Sequence, residues 1–225
     1  MKLQSKTATS GHDVYSASMR LDILPLFDRK YSQVLDVGCS TGNTGVLLKA
    51  RKLCDFVTGV EPFEATATIA KQGLDRVIEG SIENAIHEIS DESMDCVLCL
   101  DVLEHLVDPW RVIDELGRKV KVGGVLICSL PNIRHVSILF NLLVLGKWTY
   151  TESGILDRTH LRFFTRGSTH SLVAIEGFEV EEMKGNLGLK SRILNYLTFG
   201  ILRDFLIGQH QTRSRKVAQW RATHV

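Results

Sequence analysis

The chain has 225 residues, of which 44% are hydrophobic and 24% are charged, and its formal net charge is +1. These values indicate a globular chain with a sizeable core, and they exclude a strongly charged chain built to bind nucleic acid or an acidic membrane. We interpret the short basic run from Arg213 to Lys216 as a solvated tail.

The start of the chain and its cysteines favour a cytoplasmic location. The first residues lack the apolar core of a secretory signal, and the longest apolar stretches are too short or too interrupted to span a bilayer. The five cysteines are odd in number and mostly adjoin apolar runs, as reduced, buried thiols do. Cys96 and Cys99 lie in one predicted strand, where residues three apart point to opposite faces of a sheet. No second pair has matching spacing, so we expect core packing and no metal site.

In chain order, a helical lead over residues 1–30 precedes short β-rich runs that alternate with helical patterns. Strands are predicted at QVLDV, DFVTGVE, LDRVIEG and DCVLCLD, each followed by a helix, and a fifth strand at VLICSLP. This alternation predicts an α/β fold with a mostly parallel sheet and helices on both of its faces. We expect one domain over residues 1–225, with a lid or substrate insertion at 132–166 and a C-terminal helix and tail at 186–225.

The helix before the fifth strand has clear boundaries in the sequence. Asp108 can cap its first turn, and Pro109 fits the first helical position, where a backbone N–H is not needed. Trp110, Ile113 and Leu116 have the spacing of one helix face, so we expect all three to pack on the sheet.

The segment VLDVGCSTGNTG, from Val34 to Gly45, indicates the class of ligand, because three kinds of site begin in this way. Gly38 to Gly42 formally match the nucleophile elbow G-x-S-x-G, but no loop for a hydrolase oxyanion hole stands out. The dinucleotide motif G-x-G-x-x-G fails at Ser40, and no Gly-Lys-Ser/Thr closes a P-loop.

The remaining pattern is a strand followed by Asp-x-Gly-x-x-x-Gly, formed by Asp36, Gly38 and Gly42, with Glu61 at the end of the second strand. A carboxylate one βαβ step downstream can accept both ribose hydroxyls of a nucleoside. The glycines let the backbone approach a ligand closely. Since no phosphate cradle is evident, we expect a nucleoside without a pyrophosphate.

LDVGCSTG and GVEP resemble motif I and the ribose-binding strand end of the class I S-adenosylmethionine-dependent methyltransferases. GSIEN is similar to their adenine-contact segment, and CVLCLDVLEHLVDPW resembles the subgroup with L-E-H after strand four. The resemblance runs from about Tyr15 to Met183. It implies a Rossmann-like, doubly wound, three-layer α/β/α fold with S-adenosyl-L-methionine as the cofactor. The family has a seventh, antiparallel strand, and LIGQHQTRSRKVAQW is too polar for it, so we expect an atypical C-terminal edge.

The resemblance also implies roles for single residues. Asp36 would orient the glycine loop and the methionine ammonium, Glu61 would bind the ribose, and Ser81 with Ile82 would meet the adenine edge. The structural alternatives are a loop-anchoring role for Asp36 and a helix N-terminal acid for Glu61. The implied cofactor-binding set is Asp36, Gly38, Cys39, Ser40, Gly42, Glu61, Pro62, Ser81, Ile82, Leu100 and Asp101.

Polar side chains after strand four and in the insertion supply the catalytic and substrate-binding candidates, because binding residues gather on loops over strand ends. The candidate proton acceptors are Asp101, His105, His135 and His160. The candidate substrate-binding residues are Tyr150, Arg158 and Arg162, whose guanidinium groups would suit a phosphate or a carboxylate. The alternatives are helix capping with a structural histidine after strand four, and a dimer contact or plain lid for the insertion.

We therefore expect an enzyme that transfers methyl from S-adenosylmethionine to an oxygen or nitrogen of a small molecule. The insertion resembles that of bacterial methyltransferases of surface glycans and small metabolites, which favours a sugar or a surface-glycan precursor. The alternative is a catalytically inactive regulatory protein that binds the cofactor. The apolar segment ILNYLTFGILRDFLIG allows weak contact with a membrane surface. The expected assembly is a monomer or a homodimer.

Overall fold

The computed structural model describes residues 19–219, except for the side chain of Lys190. Most of the predicted helical lead lies outside the described residues. Within its described part, Leu21–Leu26 forms a 3-10 helix whose Ile23 and Leu26 are fully buried. The lead therefore begins the folded core and packs against one face of the sheet.

One sheet of seven strands organises the described residues. The strands are β1 (Tyr31–Val37), β2 (Cys54–Glu61), β3 (Arg76–Glu79), β4 (Met94–Leu100), β5 (Val120–Pro131), β6 (Phe178–Lys184) and β7 (Gln209–Lys216). Their order across the sheet is β3-β2-β1-β4-β5-β7-β6. The first five strands are parallel, and β7 runs antiparallel to both of its neighbours.

Helices connect the strands in the alternation that the sequence predicts. They are α1 (Asn43–Ala50), α2 (Glu64–Ala70), α3 (Ile82–Ala85), α4 (Pro109–Lys119), α5 (Val136–Leu143), α6 (Arg166–Val173), α7 (Leu189–Leu197) and α8 (Arg203–Leu206). Two further 3-10 helices lie at Ile86–Glu88 and Leu103–His105. Within residues 19–219, every helix is too short or too polar to cross a membrane.

The boundaries of α4 follow from the predicted signals. The Asp108 side chain accepts a hydrogen bond from the backbone N–H of Arg111 at 3.0 Å, and Pro109 is the first helical residue. Ile113 and Leu116 are buried against the sheet. The prediction for Trp110 is wrong: its side chain is 52% exposed and lies beneath the guanidinium of Arg162, 6.0 Å from its ring centre.

Successive residues of the central strands pack on opposite faces of the sheet. Val34 and Cys96 belong to the hydrophobic cluster on one face, and Leu35 and Cys99 belong to the cluster on the other. This arrangement confirms the core-packing interpretation of the C-x-x-C. All five cysteines are buried and free, which is typical of the small apolar side chain that a thiol presents in a core.

The expected C-terminal helix is present as α7, but the expectation that the basic run is a solvated tail is wrong. Residues 209–216 form a full strand between β5 and β6 rather than a tail or an edge, although every residue in QHQTRSRK is polar. Most of these side chains are buried, so the basic run that begins at Arg213 is not solvated. The sequence does not reveal this strand, because the charged side chains of β7 pair with groups that lie far away in the chain.

Those partners are specific. Arg213 donates to Glu181 at 2.9 Å, and Arg215 donates to Glu181 and Asp28. Lys216, which is 1% exposed, donates to the carbonyl oxygens of Gly117 at 3.1 Å and Val120 at 2.7 Å. A buried charge destabilises a protein unless it is paired and hydrogen-bonded, and these contacts meet that requirement on both faces of β7.

Candidate active site

The strand order creates a crevice at one place in the sheet. From β1 the chain continues outward to β2 and β3, and then crosses to β4 on the other side of β1. The loops that follow β1 and β4 therefore lead away in opposite directions. In open α/β sheets, ligands bind outside the carboxyl ends of strands at such a switch point.

The loop after β1 is tightly wound and anchored. Gly38, Ser40 and Gly42 all have positive φ, at 68°, 51° and 81°. A β-carbon on Gly38 would lie 2.6 Å from a methyl carbon of Val102, in the loop after β4. The glycine therefore lets the two loops that border the crevice approach closely.

The carboxylate of Glu61 ends β2 and holds this loop. It accepts hydrogen bonds from the backbone N–H of Ser40 at 2.8 Å and of Phe63 at 3.2 Å, and from the hydroxyl of Thr66 at 2.9 Å. The residue is 4% exposed. A carboxylate has about four acceptor positions, so the predicted ribose contact competes with contacts inside the chain.

Thr66 provides a way to release one of these positions. Its hydroxyl also lies 2.9 Å from the carbonyl oxygen of Phe63, which is an equally close acceptor. If the hydroxyl proton turns to that carbonyl, an oxygen of Glu61 is free to accept from a ribose hydroxyl. The ribose contact of Glu61 stays a prediction.

Asp36 is a buried carboxylate of the crevice. It is 3% exposed, and its Oδ2 has no hydrogen-bond partner among the described residues. Burial raises the pKa of Asp36 to about 7; Arg20 opposes this rise, and Glu61 adds to it. An unpartnered buried acceptor is costly for the folded protein, and an ammonium group donated by a ligand would satisfy it.

The ends of β2 and β3 form the far side of the crevice. The backbone N–H of Gly80 donates to the carbonyl of Glu61 at 2.9 Å, which brings Ser81 close to the end of β2. Ile82 is 4% exposed and packs in the core, so only its backbone can meet a ligand. Pro62 is exposed. Phe63, which the sequence analysis did not select, is 56% exposed and precedes α2.

The end of β4 is held by a residue that the sequence analysis did not select. Arg20 donates to Asp101 at 2.5 Å and to the hydroxyl of Ser129, the residue paired with Leu100, at 3.0 Å. Gln209 at the start of β7 donates to the other oxygen of Asp101. Each oxygen of Asp101 therefore accepts one hydrogen bond, and its role as a proton acceptor stays a prediction.

Just beyond, three potential proton acceptors converge. Glu104 is 1% exposed, and both of its carboxylate oxygens lack a hydrogen-bond partner among the described residues. His160, from the insertion, places Nε2 4.0 Å from the Glu104 carboxylate, and its ring packs edge-on against His105 with centroids 4.8 Å apart. The structure thus brings together two of the predicted catalytic histidines, which are separated by more than 50 residues in sequence.

The other candidates of the insertion lie elsewhere. His135 caps α5, where its Nδ1 accepts from the backbone N–H of Ser137 at 3.4 Å. Arg158 is exposed and forms an ion pair with Glu152. Arg162 donates to the carbonyl oxygens of Val107 and Leu161.

These contacts give the two arginines separate structural partners. Tyr150 is 47% exposed and packs with Trp148 and Phe163 at centroid distances of 6.5 Å. The substrate-binding roles of Tyr150, Arg158 and Arg162 and the catalytic role of His135 remain predictions.

Three features define a class I methyltransferase with S-adenosylmethionine as its cofactor. They are the strand order with one reversed strand, the anchored glycine loop, and the acids at the ends of β1 and β2. The chain belongs to the methyltransferase domain family, whose model matches residues 12–183. Both results confirm the fold and the family that the sequence motifs indicated.

Among curated relatives, the ubiquinone biosynthesis O-methyltransferase of Maricaulis maris is 29% identical over 72% of this chain and 61% of the relative. The enzyme of the same name from Pseudomonas entomophila is 35% identical over 68% of this chain and 67% of the relative. The chain thus spans about three fifths of the length of the first curated relatives that it matches.

Solved structures share the fold. A SAM-dependent methyltransferase from Archaeoglobus fulgidus superposes with a TM-score of 0.65 at 16% identity and covers 91% of this chain and 94% of its own. A possible histamine N-methyltransferase from Thermotoga maritima gives a TM-score of 0.62 at 24% identity, covering 92% of this chain and 91% of its own.

The described residues fit this cofactor. The unpartnered oxygen of Asp36 suits the methionine ammonium, and Glu61 can release an acceptor position toward the ribose. The N–H groups of Asn84 and Ala85 in α3 donate to the carbonyl oxygen of Ser81, which leaves those of Ile82 and Glu83 without a partner inside this helix. The adenine contact of this segment stays a prediction.

Proposed function

We propose that this chain transfers the methyl group of S-adenosylmethionine to a hydroxyl oxygen of a small aromatic molecule. The observation that carries the proposal is the cluster of Glu104, His105 and His160 at the end of β4, next to the crevice. An oxygen acceptor must lose a proton, and this cluster offers groups that accept one. The curated relatives are named as O-methyltransferases, which supports oxygen over nitrogen.

Aromatic side chains of the insertion support an aromatic acceptor. Trp148 and Tyr150 pack with Phe163, and Phe163 in turn lies 6.4 Å from the ring of His160. Trp148 and Tyr150 are 39% and 47% exposed, so their rings offer apolar surface beside the cluster. Aromatic rings pair favourably at such centroid distances, and the hydroxyl of a bound phenol would then be directed toward His160.

When bound, S-adenosylmethionine supplies an electrophilic methyl group, and the leaving thioether is neutral. The residues of this chain therefore have two tasks, which are to align the acceptor oxygen and to remove its proton. Alignment of two bound reactants is worth about 7–11 kcal/mol in favourable cases. A positioned proton acceptor such as His160 would add roughly 10²–10⁴-fold.

The test uses purified full-length protein with S-adenosylmethionine carrying a labelled methyl group. The acceptors are catechols and simple phenols, nucleotide sugars, and primary amines. We expect label transfer to the phenols, and kcat should fall at least about 100-fold in His160→Gln with little change in KM for the cofactor. His87→Gln, which replaces an exposed histidine, is the matched control.

Transfer only to sugars or only to amines would overturn the proposed acceptor class. Tight cofactor binding without transfer to any acceptor would instead favour a regulatory protein that binds the nucleoside. Calorimetric titration with the cofactor separates these outcomes, because it measures binding without requiring transfer.

A further inference from the structure

A second cavity opens between the ends of β6 and β7 and the helices α6 and α8. Its volume is about 340 Å³, which is the size of a site for a small molecule. An adjoining hollow of about 470 Å³ shares Arg166, Met183 and Asp204 with it. The residues that line the two hollows include four cationic side chains, which are Arg134, Arg166, Lys184 and Arg203.

The cavity lies on the same edge of the sheet as the crevice. Because β5 and β6 each run antiparallel to β7, the ends of β5 and β6 meet the start of β7 at that edge. Gln209 begins β7 and donates to Asp101, whereas the next side chain, His210, points to the other face of the strand and lines the cavity. Three strand spacings of about 4.8 Å separate the cavity from the crevice, a distance of roughly 14 Å.

Asn132 and Arg134 hold the wall of the cavity that α8 forms. Nδ2 of the fully buried Asn132 donates to the carbonyl oxygens of Asp204 at 2.7 Å and Ile207 at 2.8 Å. Arg134 donates to the Asp204 carboxylate at 3.1 Å, and its guanidinium carbon lies 4.5 Å from the ring centre of Phe205. These contacts fix α8 in place and neutralise the one acid that lines the cavity.

Two of the four cations have no anionic partner in the part of the chain that the structure describes. Neither Arg166 nor Arg203 forms a side-chain hydrogen bond or an ion pair with another described residue. Lys184, in contrast, pairs with Glu182 at 3.3 Å. Like charges that face one cavity repel each other, and a bound anion would remove that repulsion.

His210 adds a buried group that lacks a partner. The residue is 1% exposed, and its Nε2 has no hydrogen-bond partner among the described residues. This atom lies 3.9 Å from Oδ1 of Asp204, beyond hydrogen-bond distance. Burial lowers the pKa of His210; Asp204 opposes this effect, and Arg166 and Arg134 add to it. A neutral imidazole with its proton on Nε2 can donate to a ligand oxygen, which would satisfy the buried nitrogen.

From these contacts we propose that the cavity binds the phosphate group of a small molecule, with Arg166 and Arg203 as its charge partners and Nε2 of His210 as a hydrogen-bond donor. A phosphate monoester carries nearly two negative charges at pH 7, which match the two unpaired guanidinium groups. Guanidinium groups bind phosphate oxygens in pairs. A carboxylate has only one charge and would leave one arginine unpaired.

The consequence for the methyl acceptor rests on the proposed function, whereas the phosphate binding does not. An acceptor with its phosphate in this cavity and its aromatic hydroxyl beside His160 would be held at both ends. Binding energy from such a remote, non-reacting group serves to orient the reacting oxygen. The acceptor would then be a phenol that carries a phosphate ester on a side chain.

The test measures phosphate binding alone, on full-length protein without cofactor or acceptor. Inorganic phosphate is titrated by calorimetry, and nitrogen NMR follows the imidazole of His210, whose signals are assigned by their loss in His210→Asn. We expect one saturable site per chain and a shift of the Nε2 signal with the same dissociation constant. That constant should rise at least about tenfold in Arg166→Gln and in Arg203→Gln, and acetate should bind at least about tenfold more weakly than phosphate.

Arg76→Gln is the matched control, because it removes an exposed arginine that pairs with Glu88 and belongs to β3, at the opposite side of the sheet. It should bind phosphate as the wild type does. Circular dichroism checks the fold of each variant, and Arg166→Lys, which keeps the charge, should retain part of the affinity. No saturable binding by the folded wild type would overturn the site, as would equal binding by the wild type and the double variant Arg166→Gln with Arg203→Gln. Equal affinity for acetate and phosphate would overturn the phosphate assignment.

A further comparison identifies the source of the phosphate. Glycerol 3-phosphate, a soluble monoester, should compete with inorganic phosphate. Vesicles of phosphatidylcholine with phosphatidate should retain no more protein than vesicles of phosphatidylcholine alone. Retention on phosphatidate that requires Arg166, without competition by glycerol 3-phosphate, would assign the arginines to a lipid surface and overturn the cavity site.

Label transfer keeps this result separate from the proposed function. In the wild type, a catechol with a phosphate ester on its side chain should have a lower KM than the same catechol without it, and Arg166→Gln should abolish the difference. Equal KM values in the wild type would overturn the role in acceptor binding. Phosphate binding without transfer to any acceptor would contradict the proposed function and support the cavity site.

Discussion

The carboxylate of Glu61 accepts a hydrogen bond from the backbone N–H of Ser40 at 2.8 Å, so the acid that ends β2 also holds the loop that follows β1. This one contact joins two elements that the sequence motifs treat separately. It means that a substitution at position 61 changes both the ligand contact and the shape of the loop, and the experiment must separate the two effects.

Glu61→Ala should weaken S-adenosylmethionine binding by at least about tenfold, because hydrogen bonds to a charged group are worth roughly 1.5–3 kcal/mol each. Calorimetric titration measures this change. Thr66→Val is the matched control, since it removes one donor to the same carboxylate and leaves its charge in place; we expect less than about a threefold change. An unchanged dissociation constant in Glu61→Ala would disprove the ribose contact.

Gly38→Ala should destabilise the protein by about 2–4 kcal/mol, because its φ is 68° and its new β-carbon would lie 2.6 Å from Val102. Gly146→Ala is the control: its φ is 62°, and no atom lies within 4 Å of the added carbon. We expect about 1–2 kcal/mol there, from the backbone conformation alone. Denaturant unfolding measures both values.

The close contact itself can be tested by a second substitution. Val102→Ala removes the methyl carbons that the new β-carbon would meet, so the double variant with Gly38→Ala should regain part of the lost stability. If the double variant loses as much stability as Gly38→Ala and Val102→Ala lose together, this explanation is contradicted.

Asp36 should make the ligand-free protein less stable as the pH rises toward neutrality. Its folded pKa is raised by burial to about 7, above the usual value of an aspartate, so between these two values the folded state binds more protons than the unfolded state. The contribution of Asp36 is complete below the unfolded pKa and is lost as the pH rises through about 7.

Urea unfolding of the wild type and Asp36→Asn at pH 5 to 8 measures this effect. The free energy of unfolding of the wild type, relative to the variant, should fall by up to about 1.4 kcal/mol per pH unit below pH 7 and level off above it. Cofactor affinity of the wild type should rise over the same interval, because an ammonium ligand favours the ionised carboxylate. Parallel curves for the two proteins would contradict the raised pKa.

Arg20→Ala should destabilise the folded state by about 1–3 kcal/mol, because it leaves the partly buried Asp101 without its cationic partner. The double variant with Asp101→Asn should recover part of that loss. Lys30→Ala, which breaks the exposed ion pair with Asp55, is the control, and it should cost less than about 1 kcal/mol. A loss for Arg20→Ala no larger than this control would show that the contact with Asp101 is dispensable.

Sequence patterns predicted the first five strands because each is a short β-rich run that alternates with a helical pattern. They also placed Cys96 and Cys99 on opposite faces, since a strand has a strict period of two. The strand β7 could not be predicted in this way. Its burial depends on Glu181, Asp28 and carbonyl oxygens elsewhere, and pairings of this kind leave no local pattern.

Sequence motifs predict those parts of the candidate site whose residues are close together in the chain. They do not predict contacts between residues that are far apart in the chain. Asp36 and Glu61 stand at strand ends that motifs identify. The contacts of Arg20 with Asp101, and of His160 with Glu104, join segments that are far apart in the chain. No spacing rule links such residues.

The position of β7 has a consequence for how the molecule is made. It is the last of the described strands to be synthesised, yet it lies between β5 and β6, and β6 pairs with no other strand. During translation, β5 therefore has an open edge and β6 has no partner until residue 216 has left the ribosome. During that interval both strands expose unpaired backbone N–H and C=O groups, which favour pairing with other chains.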